Sequence, residues 1–231
     1  MASVLQEPSE ARATEKSVNA RCMAEYQWRF EHGDGNMDPG RMDGVHRWVQ
    51  EVVVHDVPGA IVELGCNKGQ TAVQIQATLD WLGSDKELWL YDSFEGLPDF
   101  SDKDEGTHPV LATPGCLKVP ARSVIDHFMA RGITKLPVVV VGWFSLDMPG
   151  PDEIAFAHLD GDLYDSIMVS LEFVWPRMVH NGIIVIDDYG HPGIPAPRRA
   201  AEDFFFDKPE KCWERWGACQ GFARKGWVVN V

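Results

Sequence analysis

From Gly40 onward the apolar residues Met42, Val45, Trp48, Val49, Val52 and Val53 recur at three- and four-residue intervals, the spacing of one buried helical face. Asp56-Val57-Pro58-Gly59 ends that run. The period then changes. Ala60-Ile61-Val62-Glu63-Leu64 is a short apolar stretch of the kind buried in a sheet, and residues 69–82 return to helical spacing. Leu88-Trp89-Leu90-Tyr91, closed by Asp92, reads as a second strand. Beyond it the pattern predicts a helix over about 120–131, strands at 138–141 and 154–159, a helix over about 165–179, and a strand at 182–186. Strand and helix alternate throughout. That order predicts an α/β domain built on one open, mostly parallel, Rossmann-like sheet with helices on both faces.

Two stretches break the alternation. Residues 94–118 combine glycine, proline and acidic residues without a period, and so long a loop inside a compact domain suggests a lid over a site. The C-terminal part, with Trp213, Trp216, Phe222 and Trp227, is expected to supply edge strands or a covering segment. Residues 1–38 are polar and unpatterned, an N-terminal extension that is partly helical or mobile, leaving 39–231 as the domain.

Composition narrows the partners. A chain of 231 residues that is 45% hydrophobic can bury an ordinary core without staples. Lys and Arg number 21 against 35 Asp and Glu, a net charge of -14, which repels phosphate backbones and anionic membrane surfaces. Nucleic acid and membrane are therefore not expected partners. The five cysteines are scattered, odd in number and never spaced C-x-x-C, which points to reduced thiols and a cytoplasmic location. The first twenty residues lack the apolar centre of a signal peptide, and no apolar run approaches the roughly 20 residues of a membrane helix.

In an open α/β sheet, ligands bind beyond the C-terminal ends of the strands. The first predicted strand ends in Glu63-Leu64-Gly65-Cys66-Asn67-Lys68-Gly69, an E-x-G-x-x-x-G turn whose glycines let backbone approach a ligand. The second ends in Asp92, where a carboxylate can accept both ribose hydroxyls of a nucleoside. Asn67 stands where a dinucleotide fingerprint needs a second bare glycine for pyrophosphate, so the turn suits S-adenosylmethionine, which carries no phosphate. The plainer reading is a tight turn and a cap.

Two later strands end in Asp160-Gly161-Asp162 and Asp187-Asp188. If these strands are neighbours, about 5 Å separates their ends, and four carboxylates crowd one volume. A divalent cation relieves that repulsion. An all-oxygen donor set without His or Cys favours Mg²⁺, with Mn²⁺ and Ca²⁺ as alternatives. The competing reading makes the same acids turn and helix-cap residues.

Together with Val62-Glu63-Leu64-Gly65, Tyr91-Asp92-Ser93-Phe94-Glu95-Gly96-Leu97-Pro98, Gly142-Trp143-Phe144, Phe156–Ser166 in outline and 182–190, the chain resembles the macrocin O-methyltransferase (TylF-like) family of natural-product sugar methyltransferases from about residue 40 to 206. The resemblance implies a class I methyltransferase fold using S-adenosylmethionine and Mg²⁺. By motif position it makes Asp160, Asp187 and Asp188 metal ligands and Asp162 the general base. It also has Asp92 hold the ribose and the Gly142-Trp143-Phe144 turn lie near adenine. Joined with the reading of the first strand-end turn, the expected donor-binding residues are Glu63, Gly65, Asn67, Asp92, Ser93, Gly142, Trp143 and Phe144. The implied reaction moves a methyl group to a hydroxyl of a vicinal diol, on a sugar of a natural product, with a small-molecule acceptor and a homo-oligomer as partners. A catechol-type acceptor is an alternative, as are a metal-dependent glycosyltransferase using the Asp160-Gly161-Asp162 motif and a non-catalytic sensor. Two departures stand out: Cys66-Asn67-Lys68-Gly69 replaces a more usual aromatic-containing, Gly-Gly turn, and the match ends near Phe206. His191, Tyr164 and Tyr189 could face the acceptor or only cover the sheet ends, while His158 reads as structural and Lys68 has no assigned role.

Overall fold

The computed structural model describes residues 39–108, 113–215 and 219–228. The predicted N-terminal extension and Trp216 lie outside the described residues.

The chain from Gly40 onward belongs to one compact unit. Helix α1 (Pro39–Val54) leads into β1 (Ala60–Leu64), α2 (Gln70–Trp81) and β2 (Leu88–Asp92). After the long loop come α3 (Arg122–Ala130), β3 (Val138–Val141), β4 (Ile154–Leu159) and α4 (Tyr164–Val174). Strand β5 (Met178–Ile186), α5 (Ala196–Phe204), β6 (Trp213–Arg215) and β7 (Gln220–Arg224) complete the order. The seven strands form one sheet in the order β3-β2-β1-β4-β5-β7-β6. The first five run parallel, whereas β7 lies antiparallel to both β5 and β6.

Alternate strand residues feed two helical layers. Ile61, Leu90, Ile183 and Val185 pack with α1, α2 and α3 through Val45, Val49, Ile75, Leu79, Val124 and Phe128. Val62, Ala157, Ile184 and Ile186 face α4 and α5 through Ile167, Leu171, Ala200 and Ala201. Burial on both faces explains why β1 and β4 read as continuous apolar runs rather than alternating ones.

Helix α4 stops at Val174, short of the predicted 179, and a single 3₁₀ turn (Trp175–Arg177) follows. Pro176 has no N–H for the α-helical ladder, so the helix tightens there and β5 starts at Met178, earlier than predicted. Among the described residues, no helix is long and apolar enough to cross a membrane.

Candidate active site

Four backbone hydrogen bonds line up the strand ends. Gly65 N–H donates to Tyr91 O at 2.8 Å, Asp160 N–H to Leu64 O at 2.8 Å, Asp187 N–H to Leu159 O at 2.8 Å, and Gly142 N–H to Asp92 O at 2.9 Å. The residues singled out in the sequence thus step just past the sheet in register, on one edge. Gly65 makes this possible. A Cβ there would lie 1.9 Å from the Asp160 carbonyl oxygen, so β1 and β4 can leave the sheet side by side only around a glycine.

At the acidic end, Asp160, Asp187 and Asp188 each offer a carboxylate oxygen within 4.8 Å of the others, the group among the described residues that could hold a metal ion. β4 and β5 are parallel neighbours, the condition on which this gathering depended. Asp162, on a left-handed backbone (φ 57), hydrogen-bonds Asp188, which is itself left-handed (φ 54). Aspartate tolerates that region better than most residues, and the turns aim both carboxylates inward at a modest strain. Burial first, then Asp188 and Asp187, push Asp162 up to about 8. Asp160 and Asp188 are also raised, by burial and then by the neighbouring carboxylates. The donor set is hard oxygen throughout and over-negative, which fits a divalent cation.

Arg41 supplies positive charge to the same cluster. Its Nη1 donates to Asp187 Oδ2 at 2.7 Å and its Nη2 to Asp188 Oδ1 at 2.5 Å, with 14% of its side-chain surface exposed. Burial works against the charged guanidinium, but Asp187 and Asp188 outweigh it and hold its pKa above the ordinary value. Gln220 Nε2 donates to the second Asp187 oxygen at 2.8 Å. Neither residue was singled out from sequence. Arg41 lies in the first turn of an ordinary amphipathic helix, and Gln220 follows a stretch with no repeat or motif, so no local signal marks either.

At the ends of β1 and β2, Asp92 accepts the Asn67 N–H on Oδ2 at 2.8 Å and the Phe94 N–H on Oδ1 at 2.7 Å, tying the two strand-end turns together. The Asn67 side chain is committed elsewhere, donating to Leu117 O at 2.8 Å and accepting the Lys68 N–H at 2.9 Å. The Ser93 hydroxyl donates to Gly96 O at 3.3 Å and accepts from Glu95 N–H at 3.1 Å. Trp143 is half-exposed beside them, and Phe144 packs on the core.

Glu63 is buried and meets His158 Nδ1 at 3.0 Å, leaving Glu63 Oε2 and His158 Nε2 without a protein partner. Burial raises the Glu63 pKa, the His158 contact opposing it. Burial likewise disfavours a charged His158, but Glu63 outweighs that and holds the imidazole above its usual value. His158 is therefore the partner of a strand-end acid rather than an isolated core histidine. Tyr164 and Tyr189 are both engaged: Tyr164 Oη donates to Asp203 Oδ2 at 2.8 Å, and the Tyr189 ring lies under the Arg198 guanidinium at 5.1 Å.

The strand order and the strand-end site define the class I methyltransferase fold. The O-methyltransferase NovP superposes with a TM-score of 0.71 at 24% identity, covering 80% of this chain and 79% of that one. The family model for macrocin-O-methyltransferase (TylF) matches residues 5–208, and the chain belongs to that family. An 8-demethyl-8-(2,3-dimethoxy-alpha-L-rhamnosyl)-tetracenomycin-C 4'-O-methyltransferase from Streptomyces olivaceus is 33% identical over 171 residues, 71% of this chain and 64% of the relative. A demethyldecarbamoylnovobiocin O-methyltransferase from Streptomyces niveus is 28% identical over 156 residues, 64% of this chain and 60% of the relative. The matches thus span under two thirds of the length of these two relatives.

Proposed function

We propose that this protein is a Mg²⁺-dependent O-methyltransferase that moves a methyl group from S-adenosylmethionine to one hydroxyl of a vicinal diol, on a sugar carried by a natural product. The observation that carries the reading is the convergence of Asp160, Asp187 and Asp188 within 4.8 Å at the strand ends, beside Asp162. The family and the sugar-modifying relative from Streptomyces olivaceus support the substrate class.

In this reading Asp160, Asp187 and Asp188 hold the Mg²⁺, which supplies Lewis acidity that lowers the pKa of a bound hydroxyl. Asp162 takes the hydroxyl proton on its carboxylate. Burial and the neighbouring aspartates raise Asp162 in the metal-free cluster, and a bound Mg²⁺ would offset those charges and favour the carboxylate form that a general base needs. Asp92, already fixed by two backbone N–H groups, uses its remaining lone pairs for the ribose. Trp143 offers an exposed ring face for adenine. The family counts against the glycosyltransferase alternative.

The test is calorimetric titration of S-adenosylhomocysteine with and without Mg²⁺, on wild type and on Asp187→Asn and Asp162→Asn. Wild type binds the product, Asp187→Asn loses Mg²⁺ binding, and Asp162→Asn keeps both ligands while losing methyl transfer to a panel of vicinal-diol sugars. A folded wild type that binds no S-adenosylhomocysteine overturns the methyltransferase reading. Full turnover in EDTA overturns the metal part alone.

A further inference from the structure

We propose that Asp104, in the long loop after β2, is a positioning residue that holds the turn from Asp160 to Tyr164, so that the loop and the candidate base form one clasp. The inference rests on the reading of that turn as the metal and base segment.

Asp104 sits in a 3₁₀ turn (Asp102–Asp104) and is buried, whereas Asp102, Lys103 and Glu105 around it are exposed. Its Oδ1 accepts the Tyr164 N–H at 2.7 Å, sixty residues away in sequence. Its Oδ2 accepts both the N–H and the hydroxyl of Ser101, each at 2.9 Å. Three donors converge on one side chain, and only a carboxylate, with acceptors on both oxygens, serves them all. An asparagine would present N–H₂ to one side or the other.

The point of attachment matters. Tyr164 is the first residue of α4, where an N–H has no partner inside the helix and where negative charge is favoured. The segment before it is tight: Leu163 N–H donates to Gly161 O at 2.6 Å around the left-handed Asp162. Asp160 N–H is held by Leu64 O of the sheet. One end of the turn is therefore fixed by the sheet and the other by Asp104, with Asp162 between them.

The loop that carries Asp104 is itself fastened. Arg199 Nη1 donates to Lys103 O at 3.1 Å and Glu105 O at 2.8 Å, and His108 N–H donates to Gly193 O at 2.8 Å. Lys103 Nζ lies 4.2 Å over the Tyr164 ring. Residues 101–108 are thus seated on α4, on α5 and on the approach to it. The bonds of the clasp named above end on none of the residues that bind Asn67 and Asp92, which the loop reaches instead at Phe94 and Leu117. Loosening it acts on the acidic end of the site and spares the donor end.

The experiment measures amide hydrogen exchange at Leu163 and Tyr164 by NMR, Mn²⁺ affinity by electron paramagnetic resonance, and S-adenosylhomocysteine affinity by calorimetry. It compares wild type with Asp104→Asn and with the milder Ser101→Ala. In Asp104→Asn, exchange at Tyr164 accelerates at least about tenfold. Mn²⁺ affinity falls about threefold to tenfold, at or below the low end for a lost partner of a metal ligand, because Asp104 reaches Asp160 only through the turn. S-adenosylhomocysteine affinity stays within about twofold because the bonds removed lie at Ser101 and Tyr164, while those at Asn67 and Asp92 remain. Ser101→Ala moves exchange and Mn²⁺ affinity the same way to a smaller extent, and it carries the test if the Asn variant does not fold. Tyr164 exchange unchanged in the folded variants overturns the proposal. So does a fall in S-adenosylhomocysteine affinity as large as that for Mn²⁺, which a general loss of structure would produce. A wild type that takes up no Mn²⁺ sinks the metal reading instead, and the exchange measurement then decides on Asp104.

Discussion

Arg41 Nη1 donates to Asp187 Oδ2 across 2.7 Å, joining residues 146 apart in the chain. With its second contact, to Asp188, the guanidinium bridges two of the three carboxylates proposed to hold Mg²⁺. Arg41 and the cation thus answer the same negative charge. Arg41→Gln leaves a buried acidic pair without its counter-charge and should cost about 3 kcal/mol in the metal-free protein. Added Mg²⁺ should then restore more stability in the variant than it adds to wild type. Urea unfolding in EDTA and in excess Mg²⁺ measures both increments, and equal increments would show that the two positive charges act independently.

The acidic cluster also sets a pH dependence. Asp162 is held near 8 in the fold, against an ordinary carboxylate value when unfolded, so between those values the folded state binds the extra proton. Stability of the metal-free protein therefore falls as pH rises through that window, by about 1.4 kcal/mol per pH unit for each proton so retained. His158 acts in the same direction: its raised value gives stability that is complete below about 6.5 and is lost as pH rises through its folded value. Thermal midpoints in EDTA should be higher at pH 6 than at pH 8, and Mg²⁺ should flatten the slope. A midpoint that rises with pH in EDTA would contradict the retention of a proton at Asp162 in the folded state.

Gly65→Ala places a methyl group 1.9 Å from a backbone oxygen of the neighbouring strand, at φ 93. Neither backbone can move without breaking the strand-end ladder, so a loss of at least about 3 kcal/mol is expected. Gly83→Ala is the matched control, with positive φ but nothing within 4 Å of the added carbon, and should cost only about 1 kcal/mol. Denaturant unfolding of the pair separates the two effects.

Trp143 is 52% exposed in the turn after β3. Trp143→Ala should therefore change stability by no more than about 0.5 kcal/mol. If the ring covers adenine, the same variant weakens S-adenosylhomocysteine binding by about tenfold, the scale of a lost base-stacking contact. Unchanged affinity would remove Trp143 from the donor site.

The five parallel strands were legible because each holds a short, mostly apolar run bounded by turn residues. β1 and β4 are apolar through burial on both faces, whereas the edge strand β3 is marked by its four valines although Val138 and Val141 are exposed. The acidic pairs stood out for the opposite reason, as carboxylates placed where those runs end. Helix α5 passed unnoticed: it has nine residues, begins beside Pro195 and Pro197, and buries mainly alanines, so its apolar stripe is faint. Asp104 looked no different from the exposed acids around it, since only its partner, sixty residues away, distinguishes it.

The sequence by itself determined the layer architecture and the placing of Glu63, Asp92, Asp160 and Asp187 at strand ends, because side-chain period and turn chemistry are local properties that each segment carries alone. Tertiary structure decided the rest: that β4 lies beside both β1 and β5, that β7 inserts antiparallel next to β5, and that Arg41, Gln220 and Asp104 reach the acidic turns. Those choices depend on contacts between residues far apart in the chain. A single charged side chain has no period to announce them, and its role is set by the charge and the unpaired backbone groups it meets in the folded protein.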